Sequence, residues 1–348
     1  MPRLSSKAFS FPVRPIRSGW YSDKYFVRSR FLLEKENRHP EVVMQVFCKK
    51  ESLLCGIEEA VACLRKGSPS PRRFRVYALK EGSLIQPWET VMHLVGDYTS
   101  FVHLETLYLG ILTRRTSVAT AVRRVVEACK RKPVLFFSAR FDHYLNQPGD
   151  GYAAKLGGAS GVSTDANTAW LGTEEAFGTI PHGLIAAFGG DTVKASLAFD
   201  RHIPPSIRRI VLVDFENDCV KTSLEVARAL GKRLWGVRLD TSREIRDRSV
   251  KGRGPESYGV SPELVWNVRR ALDRGGFRWV QIIVSGGFNI ERITEFVRKK
   301  VPFDAVGIGS ALYHERIEFT ADIVKVNGKP CAKVGRAYRP NPRLKRVG

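Results

Sequence analysis

In GTIPHGLI, residues 178–185, a histidine stands directly behind a glycine-threonine-isoleucine-proline turn. A neutral imidazole placed so can act as a base, a metal ligand or a phosphate acceptor; the plain alternative is a buried histidine in a turn. No second histidine lies near His182 in sequence, which leaves a metal role unsupported. Asp214 closes the apolar run IVLVD and Asp240 closes LWGVRLD. Two carboxylates at one barrel mouth can bind ribose hydroxyls or Mg²⁺, or can serve as helix caps and arginine partners. Arg238 sits two residues before Asp240, so in a strand the cation and the anion point to the same side. Arg140, after FFSA, is a similarly placed cation. Two glycine turns, VSGGF (284–288) and VGIGSAL (306–312), each follow an apolar run. Their Ser285, Gly286, Gly287, Gly307, Gly309 and Ser310 would let backbone N–H groups approach an anion, although glycine turns also occur without a ligand. Asn167 begins a short helix in the glycine-rich segment 157–183, and Thr179 lies in the turn itself. The set suits a sugar-phosphate substrate.

Such residues need a scaffold that brings strand ends together. VLFFS (134–138), IVLVD (210–214), LWGVRLD (234–240), WVQIIVSGG (279–287) and DAVGIGS (304–310) read as buried strands. Helical patterns separate several of them, over 218–231, 261–276 and 289–300. Strand–helix alternation predicts parallel βα units, and βα barrels build active sites at strand ends such as Asp214, Asp240 and Ser285. Residues 74–98 alternate and carry turns, as in a small mixed or antiparallel sheet. The stretch 116–132 reads as a strong helix capped by Thr116 or Ser117. A hairpin is expected around Asn327-Gly328, in a C-terminal stretch that can return to the N-terminal sheet. The expected domains are 1–113, an α/β sandwich; 114–312, a barrel; and 313–348, the returning segment.

Length and composition set the bounds. With 348 residues and 43% hydrophobic content the chain can bury a large core. No apolar run is long enough to span a membrane, and the first twenty residues lack a signal-peptide core, so a cytoplasmic protein is expected. Six cysteines without a CxxC pair suit a reducing compartment and no zinc. The net charge of +22 favours anionic partners, but it is dispersed and no nucleic-acid module is present. Positive charge concentrates in the loop 238–257 and in the tail 333–348, which has no acidic residue.

The ordered motifs resemble the nicotinate phosphoribosyltransferase family, especially its short archaeal-type members, over residues 14–338. They are IRSGWYSDKYF (16–26), ETLYLGILTRRTSVAT (105–120), GTIPHGLI, LVDFEND (212–218), GVRLDT (236–241), VSGGF and GIGSALY. The resemblance implies a type II phosphoribosyltransferase fold, an N-terminal α/β sandwich plus an incomplete α/β barrel. It implies that nicotinate is joined to 5-phosphoribosyl 1-diphosphate in NAD biosynthesis. ATP would be co-substrate, with His182 transiently phosphorylated, and Mg²⁺ would arrive with the diphosphate. By the same resemblance Asp214 and Asp240 are catalytic. Tyr25 (from a neighbouring subunit of a dimer), Phe137, Arg140, Asn167, Thr179 and Arg238 would contact substrate. Ser285, Gly286, Gly287, Gly307, Gly309 and Ser310 would hold the 5′-phosphate. Related nicotinamide enzymes carry an aspartate where this chain has Ala166, with Asp165 one residue away, which favours a carboxylate substrate.

Three other readings are open. A decarboxylating quinolinate phosphoribosyltransferase shares the fold but clusters more cations and lacks GTIPH. A basic nucleic-acid-binding protein on a degenerate barrel would show steep salt dependence. A sugar-phosphate aldolase or isomerase would want a lysine at a strand end, and none is found there.

Overall fold

Residues 4–130, 132–172 and 176–347 are described by a computed structural model, in which the chain divides into two compact units. One is Met1–Ala121 with Glu315–Gly348; the other is Val122–His314. The first division falls inside the long helix Glu105–Ala128, later than the expected 113/114.

In the first unit six strands form an antiparallel sheet, in the order Lys329–Pro330, Phe319–Val326, Glu41–Cys48, Thr90–Asp97, Phe74–Ala78, Lys345–Val347. Alternating Val42, Met44 and Val46 face a core shared with Ile57, Leu64, Leu104, Tyr108 and Leu112 from the helices. Asn327 and Gly328 both adopt left-handed backbone (φ 48° and 77°), as a two-residue hairpin demands, and the hairpin's long strand pairs with Glu41–Cys48. Gln45 and Phe47, on the opposite face from the core residues, are buried as well. The tail covers them: the Arg339 N–H donates to Gln45 Oε1 (2.8 Å) and Thr90 Oγ1 donates to the Arg339 carbonyl (3.1 Å). Tyr338 stacks on His93 with ring centroids 5.3 Å apart.

The expected cap at Thr116 or Ser117 is overturned, because the helix starts at Glu105 and both hydroxyls lie inside it. Tyr108 and Leu112 extend the apolar stripe upstream. Thr116 Oγ1 instead accepts from the Cys55 N–H (3.1 Å), and Ser117 Oγ donates to the Thr113 carbonyl (2.6 Å) and accepts from the Ile317 N–H (2.9 Å). These hydroxyls fasten the helix to loops far away in sequence.

The second unit is built on a curled parallel sheet, ordered Gly161–Val162, Val134–Phe136, Ala305–Ile308, Gln281–Val284, Leu234–Leu239, Arg209–Leu212. Its two edges are linked by one short segment. The Phe177 N–H donates to Val162 (2.7 Å), and three residues on the Ile180 N–H donates to Ile210 (2.9 Å). Leu135, Ile210, Ile283 and Ala305 fill the interior. Helices Cys219–Leu230, Pro262–Arg274 and Ile290–Arg298 follow three of the strands, each capped by a side chain: Asp218, Ser261 and Asn289. Because the strands are parallel, their C-terminal ends open on one side, where Phe137, Asp214, Asp240, Ser285 and Gly309 begin the loops. The architecture is the expected sandwich plus incomplete barrel. Among the described residues no helix is long and apolar enough to cross a membrane, and all six cysteines are free.

Gln45→Ala should release the tail from the sheet. We expect a loss of about 1–3 kcal/mol in urea unfolding, typical of stranding buried polar groups, and faster tryptic cleavage near Arg336 and Arg339.

Candidate active site

Arg238 organises the mouth of the barrel. Its strand places it beside Asp240 with one residue between, and the two side chains meet: Nη2 donates to Asp240 Oδ2 (3.2 Å). Nε donates to Ser285 Oγ (2.8 Å) and Nη1 to Thr179 Oγ1 (3.2 Å). Ser285 in turn donates to Asp240 Oδ1 (2.7 Å). The guanidinium also lies over the Phe137 ring, 4.9 Å from its centroid. One cation therefore joins the ends of two neighbouring strands and the turn before His182. A guanidinium has five N–H donors, so one remains on each terminal nitrogen.

His182 opens the short helix His182–Ala187 behind Pro181. The Ile180 bridge sets that turn beside Arg209–Leu212, so the imidazole reaches Asp214, two residues beyond that strand. His182 Nε2 and Asp214 Oδ1 are 2.9 Å apart. Asp214 is buried while the imidazole is 43% exposed. A buried carboxylate accepts, so Nε2 carries the proton and Nδ1 is left free. The hydrogen bond to Asp214 raises the His182 pKa above its ordinary 6.5; burial opposes this, the charges of Asp214 and Asp240 add to it, and Arg238 opposes it. Phe215 flanks the imidazole at 6.4 Å between centroids.

The glycines divide into two kinds. Gly286 and Gly287 have φ of 84° and 70°, a conformation that favours glycine, and form an open turn after Gln281–Val284. Gly307 does not belong to such a turn. It lies inside its strand, paired with Leu135, and a Cβ there would stand 2.5 Å from the Phe137 ring. Its small size makes room for the ring, which corrects the phosphate role expected of it. Gly309 likewise lies under the Phe141 ring, and its carbonyl accepts from Ser138 Oγ (2.9 Å). Ser310 is exposed at the start of the turn Ser310–Tyr313.

Other expected contacts fall outside the cluster. Asn167 is fully buried; its amide donates to the Gln147 carbonyl (2.8 Å) and its oxygen accepts from Thr164 (3.0 Å). With both ends engaged against Gln147 and Thr164 it braces the loop, and the substrate contact expected of it is withdrawn. Asp165 and Ala166 beside it are exposed. Arg140 is an exposed guanidinium over Phe141 (5.2 Å). Tyr25 belongs to the first unit, 61% exposed on the helix Lys24–Lys35. Sequence reasoning missed Ser138, Phe177 (6.2 Å from Phe137), Phe215 and Phe141. Phe215 adjoins Asp214, and adjacency was its one signal. Among the described residues no group of three or more His, Cys, Asp or Glu side chains is assembled as a metal site.

The sign of the His182 shift has a consequence. An imidazole whose pKa rises on folding stabilises the fold fully below about pH 6.5, its unfolded value, and less as pH climbs through the raised folded value. NMR titration should place the His182 pKa above 6.5, and Asp214→Asn should lower it. In step, urea stability of the native chain relative to His182→Gln should be larger at pH 6 than at pH 8.

Comparison with known proteins bears on the family and the fold. Residues 23–116 match the quinolinate phosphoribosyl transferase N-terminal domain. A nicotinate phosphoribosyltransferase of Mycobacterium tuberculosis is 30% identical over 247 residues, 68% of this chain and 48% of the relative. The chain spans about half the length of that curated relative. Among solved structures, nicotinate-nucleotide pyrophosphorylase from Pyrococcus furiosus superposes with a TM-score of 0.83 at 35% identity, covering 100% of this chain and 86% of that one. Human nicotinic acid phosphoribosyltransferase shares the fold, with a TM-score of 0.72 at 18% identity over 91% of this chain and 77% of that one. Sandwich, half-barrel and these similarities together establish that the chain belongs to the nicotinate phosphoribosyltransferase family, with the type II phosphoribosyltransferase fold.

Proposed function

We propose that the protein joins nicotinate to 5-phosphoribosyl 1-diphosphate, giving nicotinate mononucleotide and diphosphate. The observation that carries the reading is Arg238, a single cation held by Asp240, Ser285 and Thr179 with one N–H left on each terminal nitrogen. That matches one carboxylate on a flat ring beside Phe137. The pyridine nitrogen attacks the ribosyl carbon, the bond to diphosphate breaks, and Mg²⁺ accompanies the departing diphosphate. Asp214 and Asp240 are the carboxylates for the cation-like carbon. The Ser285–Gly287 turn receives the 5′-phosphate. Stacking on Phe137 and on a neighbouring subunit's Tyr25 holds the ring in line. The exposed Trp20, Tyr21 and Tyr25 support assembly of at least two copies.

The tautomer supports ATP coupling as part of this proposal. With Nε2–H held by Asp214, the Nδ1 lone pair attacks the γ-phosphorus of ATP, ADP leaves, and water later hydrolyses the phosphohistidine. A second reading, quinolinate with loss of CO₂, has two observations in its favour: the matched N-terminal domain is named for quinolinate, and the Pyrococcus furiosus nicotinate-nucleotide pyrophosphorylase, similar at 35% identity, is a quinolinate-type enzyme. Against a second ring carboxylate weighs the pairing at Arg238, the one guanidinium among the described residues that is held by Asp240, Ser285 and Thr179 together.

Nicotinate mononucleotide formation should be faster with ATP, and His182→Ala should abolish that stimulation while leaving slow transfer. Because Nδ1 attacks only when the imidazole is neutral, the stimulation should rise with pH through the raised His182 pKa. Full ATP coupling in His182→Ala, or CO₂ release from quinolinate with no product from nicotinate, overturns the proposal.

A further inference from the structure

The Ser285–Gly287 turn offers backbone dipoles but no net charge, while a sugar phosphate approaches dianionic charge at neutral pH. The mouth beside it already carries Asp214 and Asp240, and Arg238 is committed to Asp240, Ser285 and Thr179. The charge balance calls for another cation at the turn.

The loop after Leu234–Leu239 supplies one. The Arg243 guanidinium lies on Gly287: it donates through Nη2 to the Gly287 carbonyl, and a Cβ on Gly287 would stand 2.6 Å from its Nε. Among the described residues no carboxylate lies within ion-pair distance of Arg243; neighbouring Glu244 accepts from Ser242, and the Arg243 charge is the least of the influences on its carboxyl. Arg292 does a different job on the same turn. It is sandwiched by Phe288 (4.7 Å) and Phe296 (5.9 Å) and donates to the Val260 carbonyl (2.8 Å). Burial, then the charge of Arg243, brings its pKa down to about 10. Arg292 thus latches the far end of the excursion 241–260 while Arg243 lies, exposed, at the near end.

We propose that Arg243 is a substrate-binding residue, the cation that neutralises the phosphate held by the Ser285–Gly287 turn. The proposal rests on the phosphoribosyl reading above. The Gly287 carbonyl pre-orients the guanidinium, and its remaining N–H groups face the anion. This explains why an exposed arginine should be anchored to a carbonyl at a turn of two left-handed glycines beside the strand end that carries Ser285.

Calorimetric titration of the whole chain with ribose 5-phosphate, and with ribose as control, tests it. The unaltered protein should bind ribose 5-phosphate and not ribose. Arg243→Gln, with an unchanged melting temperature, should bind at least about tenfold more weakly and with a shallower salt dependence. Arg243→Lys should recover part of the loss. Equal or tighter binding by Arg243→Gln, with binding intact in the unaltered protein, overturns the role of Arg243 alone. No binding of ribose 5-phosphate by the unaltered protein overturns the phosphoribosyl reading of the turn, and this proposal with it.

Discussion

The barrel mouth depends on a charged contact that is expensive to leave incomplete. Arg238 and Asp240 are both largely withdrawn from water, with side chains 16% and 18% exposed. A guanidinium there must be paired, and losing one partner strands the other. Ser285 and Thr179 complete the pairing, which explains why a hydroxyl follows Gln281–Val284 and another precedes His182. The same contacts tie two strands and the His182 turn into one rigid piece. Charge balance and geometry are therefore one constraint: the cation proposed to read a substrate carboxylate also holds Asp240 in place.

Around that centre the glycines do less uniform work than their spacing suggests. Gly286 and Gly287 provide a left-handed turn open to an anion. Gly307 and Gly309 provide space, so that the Phe137 and Phe141 rings come close against the backbone. The space at Gly307 lets the Phe137 ring face the Arg238 guanidinium. Aromatic packing and anion binding are thus neighbouring but separate uses of the same residue type.

Much of this was legible in the sequence where the signal is local. Apolar runs marked five of the six barrel strands, all but Gly161–Val162, and Ser261 and Asn327-Gly328 marked a helix start and a hairpin. Strand periodicity alone put Arg238 and Asp240 on one face. What escaped depends on partners distant in sequence. The start at Glu105 is hidden because Thr116 and Ser117 look like caps until Cys55 and Ile317 claim their hydroxyls. Asn167 looks like a ligand residue until Gln147 and Thr164 engage its amide. Gly307 looks like part of a phosphate turn until the Phe137 ring is seen against it. Arg243 was one of several arginines in a basic loop, and only its bond to Gly287 separates it from the rest.

In the proposed reaction a single guanidinium, Arg238, selects a pyridine ring bearing a single carboxylate. The most direct measurement is the dissociation constant of the unaltered protein for nicotinate, nicotinamide and quinolinate, determined side by side by calorimetry in the presence of diphosphate and Mg²⁺. Nicotinate should bind more tightly than both, by at least about tenfold over nicotinamide, as expected for a charge-assisted fork set against a neutral amide. Equal affinity for nicotinamide, or tighter binding of quinolinate, would contradict this selection.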